Sequence, residues 1–229
     1  MSILRTVRRC LKKLAQPAVS PHLCINAAST TTDMANASGV SDAATKQKRI
    51  VWVDMEMTGL DPETHKILEV ACFITDENLK IISEEFHKVL HQPESELQKM
   101  DQWCQKVHTK SGLVKKVEES KITEKQVDEE LLFFMMKYIP KGKCPMAGNS
   151  VYMDRLFLRK FMPSANDYMH YRIIDVSSIK EVVKRWKPEV YEQAPKKLGS
   201  HEAVEDIKLS IAELDYYRAH IFMNSNLIS

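Results

Sequence analysis

The sequence predicts an α/β domain, a mixed five- or six-stranded sheet with helices packed on its faces, and three observations carry that expectation. Three strand-like runs, 49–57, 67–75 and 79–91, follow one another with short connections, which argues for antiparallel neighbours. Past residue 91 the apolar period changes, and helical segments then alternate with short strand-like ones. A length of 229 residues suits one ordinary domain plus an appendage rather than two large domains.

The elements follow in order. Residues 49–57 form the first strand, closed by the turn signature Thr58-Gly59-Leu60-Asp61-Pro62. Asp76-Glu77-Asn78 makes a hairpin turn between the second strand and a longer third one. Residues 94–107 read as helix. The segment 123–139 does so more strongly, with Thr123 and Gln126 in a capping-box pattern and Pro140 and Gly142 marking its stop. A short buried strand at 144–148 precedes a helix at 151–161 that ends before Pro163; another strand at 171–175 precedes a helix at 177–186. A final helix starts near Glu202, with Val204, Ile207, Ile211 and Leu214 along one face.

The formal charge of +2 conceals an asymmetry. Residues 1–32 carry Arg5, Arg8, Arg9, Lys12 and Lys13 and no acid, and removing those five leaves −3 for the remainder. Leu4, Val7, Leu11 and Leu14 recur at helical spacing among the cations, and Ser, Thr and Ala dominate up to about residue 45. This amphipathic, acid-poor composition predicts a mitochondrial transit segment over 1–45, ahead of a folded domain over 46–229; a basic arm for nucleic acid is the alternative. A start at Met34 would yield a form without the basic segment, and so a cytoplasmic or nuclear location beside the mitochondrial matrix or intermembrane space. No apolar run is long enough to span a membrane. Cys10, Cys24, Cys72, Cys104 and Cys144 are odd in number and lack close paired spacing, which argues against a disulfide framework or a zinc site.

Asp54 and Glu56 interrupt a run that otherwise reads as a buried strand. Residues two apart share a face of a strand, and two neighbouring buried carboxylates raise each other's pKa. A divalent cation removes both penalties; the alternative is an edge strand with an acidic exposed face. Asp154 falls in the first turn of the helix after Gly148-Asn149-Ser150, where an acid also favours the helix dipole. Near the end, Gly199 would let the backbone turn, with His201 on a loop and Asp206 on the helix that follows. Four acids and a histidine at the ends of successive elements suit magnesium or manganese, which prefer oxygen ligands. Two such ions about 4 Å apart, with histidine as base, perform phosphodiester hydrolysis.

Val53 through Asp61, Gly148-Asn149-Ser150 through Asp154-Arg155-Leu156-Phe157, and His201 with Asp206 closely resemble the three exonuclease motifs of the oligoribonuclease family. These are small 3'-to-5' RNA exonucleases of the DEDD superfamily, in the branch whose third motif carries histidine. Trp103, His108 through Leu113, and Tyr171 through Ser177 match as well, and the N-terminal extension resembles that of animal mitochondrial members.

The resemblance implies a ribonuclease H-like exonuclease fold and two Mg2+ or Mn2+ ions. Asp54, Glu56 and Asp206 would hold one ion, Asp54 would bridge to the second, Asp154 would support that second ion, and His201 would be the general base. Leu60 and Trp103 would pack on the bases, while Ser150 and His108 would approach the 5'-phosphate. Tyr171, Arg172 and Ser177 would come from the other subunit of a homodimer. The implied substrate is RNA of two to about five nucleotides, and charge agrees, because a net-acidic domain lacks the long basic track that long RNA requires. The rivals are tRNA end trimming, DNA proofreading, and a catalytically silent nucleic-acid-binding module.

Overall fold

The computed structural model describes residues 44–196 and 202–223. The basic N-terminal segment with Met34 therefore lies outside the described residues, as does His201 with the turn before it.

Five strands form one mixed sheet in the order β3-β2-β1-β4-β5: β1 Ile50–Met57, β2 Ile67–Thr75, β3 Phe86–Val89, β4 Met146–Gly148 and β5 Ile173–Asp175. The β1–β2 and β2–β3 pairs are antiparallel, whereas β1–β4 and β4–β5 are parallel. Between β3 and β4 run α1 Glu94–Leu97, α2 Gln102–Lys110, α3 Leu113–Glu119 and α4 Glu124–Tyr138. Between β4 and β5 lie α5 Tyr152–Phe161 and α6 Pro163–Tyr168. After β5 come α7 Val176–Trp186, α8 Pro188–Gln193 and α9 Ala203–Tyr217, the last continuing into a π-helical turn, Arg218–Phe222.

The alternation of β1 explains how the layers form. Val51, Val53, Met55 and Met57 enter a core with residues of α4, α5 and α6, including Leu131, Phe157 and Ala165. Ile50 and Trp52 enter the opposite core, with Phe73 of β2, Val183 of α7, and Ile207 and Ile211 of α9. Every residue of β2 is buried, as the central position of that strand between β1 and β3 requires. A smaller cluster joins Leu68 to α1, α2 and α3 through Leu97, Cys104 and Leu113.

Two local expectations are corrected. The third strand begins at Phe86 rather than near Leu79: Leu79 adopts φ 67°, Ile81 makes only an isolated bridge to Thr75, and the Ser83 hydroxyl accepts the Ile74 N–H at 2.9 Å. The helix expected over 94–107 is two helices, because the Asp101 carboxylate accepts the Cys104 N–H at 2.7 Å and caps a new start. A further helix, α3, opens at Gly112 with φ 76°. The helix over 151–161 ends before Pro163 as expected, and Pro163 and Pro188 each open a further short helix, α6 and α8, since the first helical position needs no N–H donor. The cap expected at Thr123 is present, with its hydroxyl accepting the Gln126 N–H at 3.2 Å. The Gln126 amide turns to Glu130 rather than back to the cap.

Candidate active site

The acidic end of the site grows out of the same alternation. Beyond Trp52, the positions of β1 that face α9 are Asp54 and Glu56. Opposite Asp54 in the register stands Ala71, a small neighbour that leaves room above the sheet. The first turn of α9 brings Asp206 over this face, and one carboxylate oxygen from each of Asp54, Glu56 and Asp206 lies within 4.8 Å of the other two. Three hard oxygen donors converging at that spacing suit a divalent cation, and mutual repulsion opposes the arrangement without one.

Asp154 arrives from α5. Strand β1 outruns β4, which pairs with it only at Val51 and Trp52, so the Met55 N–H is left for a side chain; Asp154 Oδ1 accepts it at 2.9 Å. Burial, and then the negative charge of Asp54, push the Asp154 carboxyl well above the ordinary carboxylate range.

The second end of the site is the turn between β4 and α5. A Cβ at Gly148 would stand 2.8 Å from the Val53 carbonyl oxygen, so only glycine allows β4 this close to β1. Ser150 then adopts φ 51°, a left-handed conformation unusual for a serine. Its N–H is shared between Asp175 Oδ1 at 3.0 Å and Ser177 Oγ at 2.9 Å, and its hydroxyl lies 3.2 Å from Ser177 Oγ. Parallel register is the reason: Gly148 pairs with Asp175, so the residues just beyond, Ser150 and Ser177, fall side by side. Ser177 thereby supports the Ser150 turn within its own chain.

A cleft of about 530 Å³ joins the two ends, lined by Asp54, Glu56, Asp154 and Asp206 at its floor and by Leu60 and Trp103 at its rim. Leu60 is 69% exposed and Trp103 59% exposed, and both lie on the one cleft, so together they offer an apolar rim that a ligand can cover. Trp103 is thus no core residue. His108 also lines the cleft but is buried: its Nε2 donates to the Met57 carbonyl at 3.1 Å, and its Nδ1 stands 3.9 Å from Glu56 Oε2. Its place is therefore beside Glu56 at the acidic end.

Tyr171 and Arg172 do not line this cleft. Tyr171 is 73% exposed and stacks on His170 with ring centroids 4.4 Å apart; the Arg172 guanidinium lies 5.4 Å from the Tyr171 ring centre. Sequence reasoning missed Asn149, Asp175 and His65. Asp175 carried a legible signal as the acid just before a helix, and it does cap α7 by accepting the Ser177 N–H at 2.9 Å. His65 lines the cleft against Gly59, where a Cβ would strike its ring.

Comparison with known proteins follows this geometry. The exonuclease family model matches residues 51–214, from β1 to α9. Oligoribonuclease of Aliivibrio fischeri is 52% identical over 179 residues, covering 78% of this chain and 98% of that protein. The human protein named oligoribonuclease, mitochondrial, is 52% identical over 175 residues, covering 76% of this chain and 74% of that protein. Among solved structures, Escherichia coli exonuclease I in complex with a 5cy-dT13 oligonucleotide superposes with a TM-score of 0.60 at 16% identity, over 76% of this chain but 41% of that one. The chain thus spans about two fifths of that structure, and at this identity the likeness establishes the exonuclease fold alone. With half of the aligned residues identical over nearly the full length of a bacterial relative, the chain belongs to the exonuclease family, in its oligoribonuclease group.

Proposed function

We propose that this protein removes nucleoside 5'-monophosphates from the 3' end of RNA of two to about five nucleotides, in mitochondria, with two Mg2+ or Mn2+ ions. The observation that carries the reading is the convergence of Asp54, Glu56 and Asp206 oxygens within 4.8 Å in a cleft rimmed by exposed Leu60 and Trp103. Asp54, Glu56 and Asp206 would hold one cation, and Asp54 and Asp154 would serve a second. Bound there, the cations supply positive charge to the attacking and leaving oxygens of an in-line phosphoryl displacement. His201 takes the proton from the attacking water. Leu60 and Trp103 pack on the bases without regard to sequence. Ser150 meets the 5'-phosphate through its hydroxyl, which exchanges its 3.2 Å bond to Ser177 Oγ for a phosphate oxygen, its N–H being engaged by Ser177 and Asp175.

A cleft of about 530 Å³ is of small-ligand size, which favours an oligonucleotide of a few residues over a long strand. The exposed Tyr171–Arg172 ledge suits a neighbouring copy's cleft in a homodimer, where the planar guanidinium can bind two phosphate oxygens. Residues 1–45 serve as the mitochondrial presequence and 46–229 as the exonuclease domain. No helix among the described residues is long and apolar enough to cross a membrane.

The test is metal-dependent release of mononucleotides from a labelled, 5'-phosphorylated RNA dinucleotide, set beside a strand several times longer. Faster cleavage of the dinucleotide supports the reading; preference for the longer strand favours tRNA trimming or DNA proofreading instead. Sedimentation tests the dimer. Imaging the full chain beside one starting at Met34 tests the location, and identical distribution of the two would overturn it.

A further inference from the structure

Asp206, Ser210, Glu213 and Tyr217 recur on α9 at i, i+4, i+7 and i+11, a spacing that places them on one stripe of the helix, and all four are buried. The hydrolysis proposed above uses only the first. Glu213 is 2% exposed. A carboxylate buried to that degree costs several kcal/mol unless donors surround it, and three do: Lys180 Nζ at 2.9 Å, the Tyr217 hydroxyl at 3.0 Å and Asn149 Nδ2 at 3.2 Å. Burial, reinforced by Glu213, pushes the Tyr217 phenol upward and keeps it a donor.

The consequence lies in hydrogen-bond direction. A carboxylate only accepts, so the Asn149 amide must turn its Nδ2 toward Glu213, where the same group also donates to Ser210 Oγ at 2.9 Å. Asn149 Oδ1 then faces Ser177 and accepts its hydroxyl at 3.0 Å. With its proton committed to Asn149, Ser177 Oγ offers a lone pair to the Ser150 N–H at 2.9 Å. Each bond fixes the sense of the next, from α9 to the left-handed turn at Ser150. Ser210 closes a second branch, donating to the Asp206 carbonyl at 2.7 Å.

We infer that Glu213 is a positioning residue for the 5'-phosphate corner of the cleft: through Asn149 and Ser177 it orients the Ser150 turn that receives the phosphate. The inference rests on the proposed role of Ser150. Glu213→Gln keeps the volume but lets the amide donate, so Asn149 can flip and the direction of the chain is lost. Asn149→Ala breaks the same chain at a half-buried position and serves if Glu213→Gln does not fold, which thermal unfolding reports.

The experiment measures kcat and KM on an RNA dinucleotide with and without a 5'-phosphate. The parent is expected to bind the phosphorylated form more tightly. Glu213→Gln raises KM for that form about tenfold, the size of one lost hydrogen bond to a charged group, with kcat on both forms and KM for the unphosphorylated form within about twofold. Asn149→Ala, on the cleft wall, raises KM for the phosphorylated form at least about tenfold more than for the unphosphorylated one. The double variant should be no worse than Asn149→Ala alone, as members of one chain require. Equal losses on both substrates would show a merely structural role and overturn the inference. So would an unchanged preference for the phosphate, which leaves the Ser150 reading standing. A parent indifferent to the 5'-phosphate while still cleaving the dinucleotide would overturn the Ser150 reading, and the inference with it.

Discussion

Glu56 and Glu69 stand opposite each other across β1 and β2, on the same face of the sheet, and meet two different fates. Glu69 is buried within the fold. Its Oε1 lies 2.5 Å from His87 Nε2, supplied by β3, and its Oε2 is 3.5 Å from the N–H of Ala203, the first residue of α9. The chain therefore brings its own positive partners to Glu69. Glu56 opens instead on the cleft, with Asp54 and Asp206 beside it and the His108 Nδ1 at 3.9 Å. Three carboxylates gather there around one open space, where a divalent cation is the natural complement. Two identical side chains, one strand apart, thus meet different surroundings, one enclosed by neighbouring elements and one facing a cleft.

The sharpest way to break that comparison is to neutralise each acid in turn. Glu56→Gln, like Asp54→Ala or Asp206→Ala, should lower dinucleotide turnover by about 10³-fold or more, because each removes a donor from the cation site, while circular dichroism stays that of the parent. Glu69→Gln should leave turnover within several-fold and lower the unfolding temperature instead. Chelation should silence the parent reversibly, with activity returning on addition of Mg2+ or Mn2+. If Glu56→Gln retained full turnover, the assignment of the acidic end would be wrong.

Next in size is His201, five residues before Asp206 in the sequence. His201→Ala should slow the chemical step by about 10² to 10⁴-fold if it is the general base, and the acidic limb of the kcat profile against pH should disappear with it. An unaltered rate and profile would take the role away from His201.

Trp103→Ala should act on binding rather than chemistry, raising KM roughly tenfold or more, in line with the worth of one base–aromatic stack, with kcat nearly unchanged. A large fall in kcat with an unchanged KM would mean that Trp103 shapes the acidic end and does not carry a base.

These acids were legible in the sequence for a physical reason: a carboxylate in an apolar strand is an anomaly that period-two alternation exposes at once. The rim residues were legible only by resemblance, since neither Leu60 nor Trp103 departs from what an ordinary turn or helix could hold. The polar stripe of α9 was missed because Ser210 and Glu213 read as solvent-facing positions between Ile207, Ile211 and Leu214, and only the packing of α9 against β4 and α7 buries them. The contact of Ser177 with Ser150 was missed because strand register, Gly148 opposite Asp175, is set by tertiary pairing rather than by local pattern. The break at Asp101 was missed because an aspartate inside an apparently helical run also serves as the cap of a new helix.

The smallest predicted effect returns to Glu69. Its hydrogen bond raises the His87 pKa above the ordinary 6.5, against the opposing effect of burial; the charge of Glu85 adds to the rise and that of Lys116 opposes it. A histidine with a raised folded pKa contributes stability that is fully present below its unfolded value and lost as pH climbs through the folded one. The unfolding temperature of the parent should therefore exceed that of His87→Gln most clearly below about pH 6.5, and the gap should close as the solution becomes alkaline. Because the imidazole is about a third exposed, solvent screens the pair, and the contribution is roughly 0.5–1 kcal/mol, a few degrees at most. Turnover at neutral pH should not follow it, since His87 serves the acid that the fold has already satisfied. A variant whose activity fell with its stability would instead tie Glu69, through the start of α9, to Asp206 and make the two acids one system.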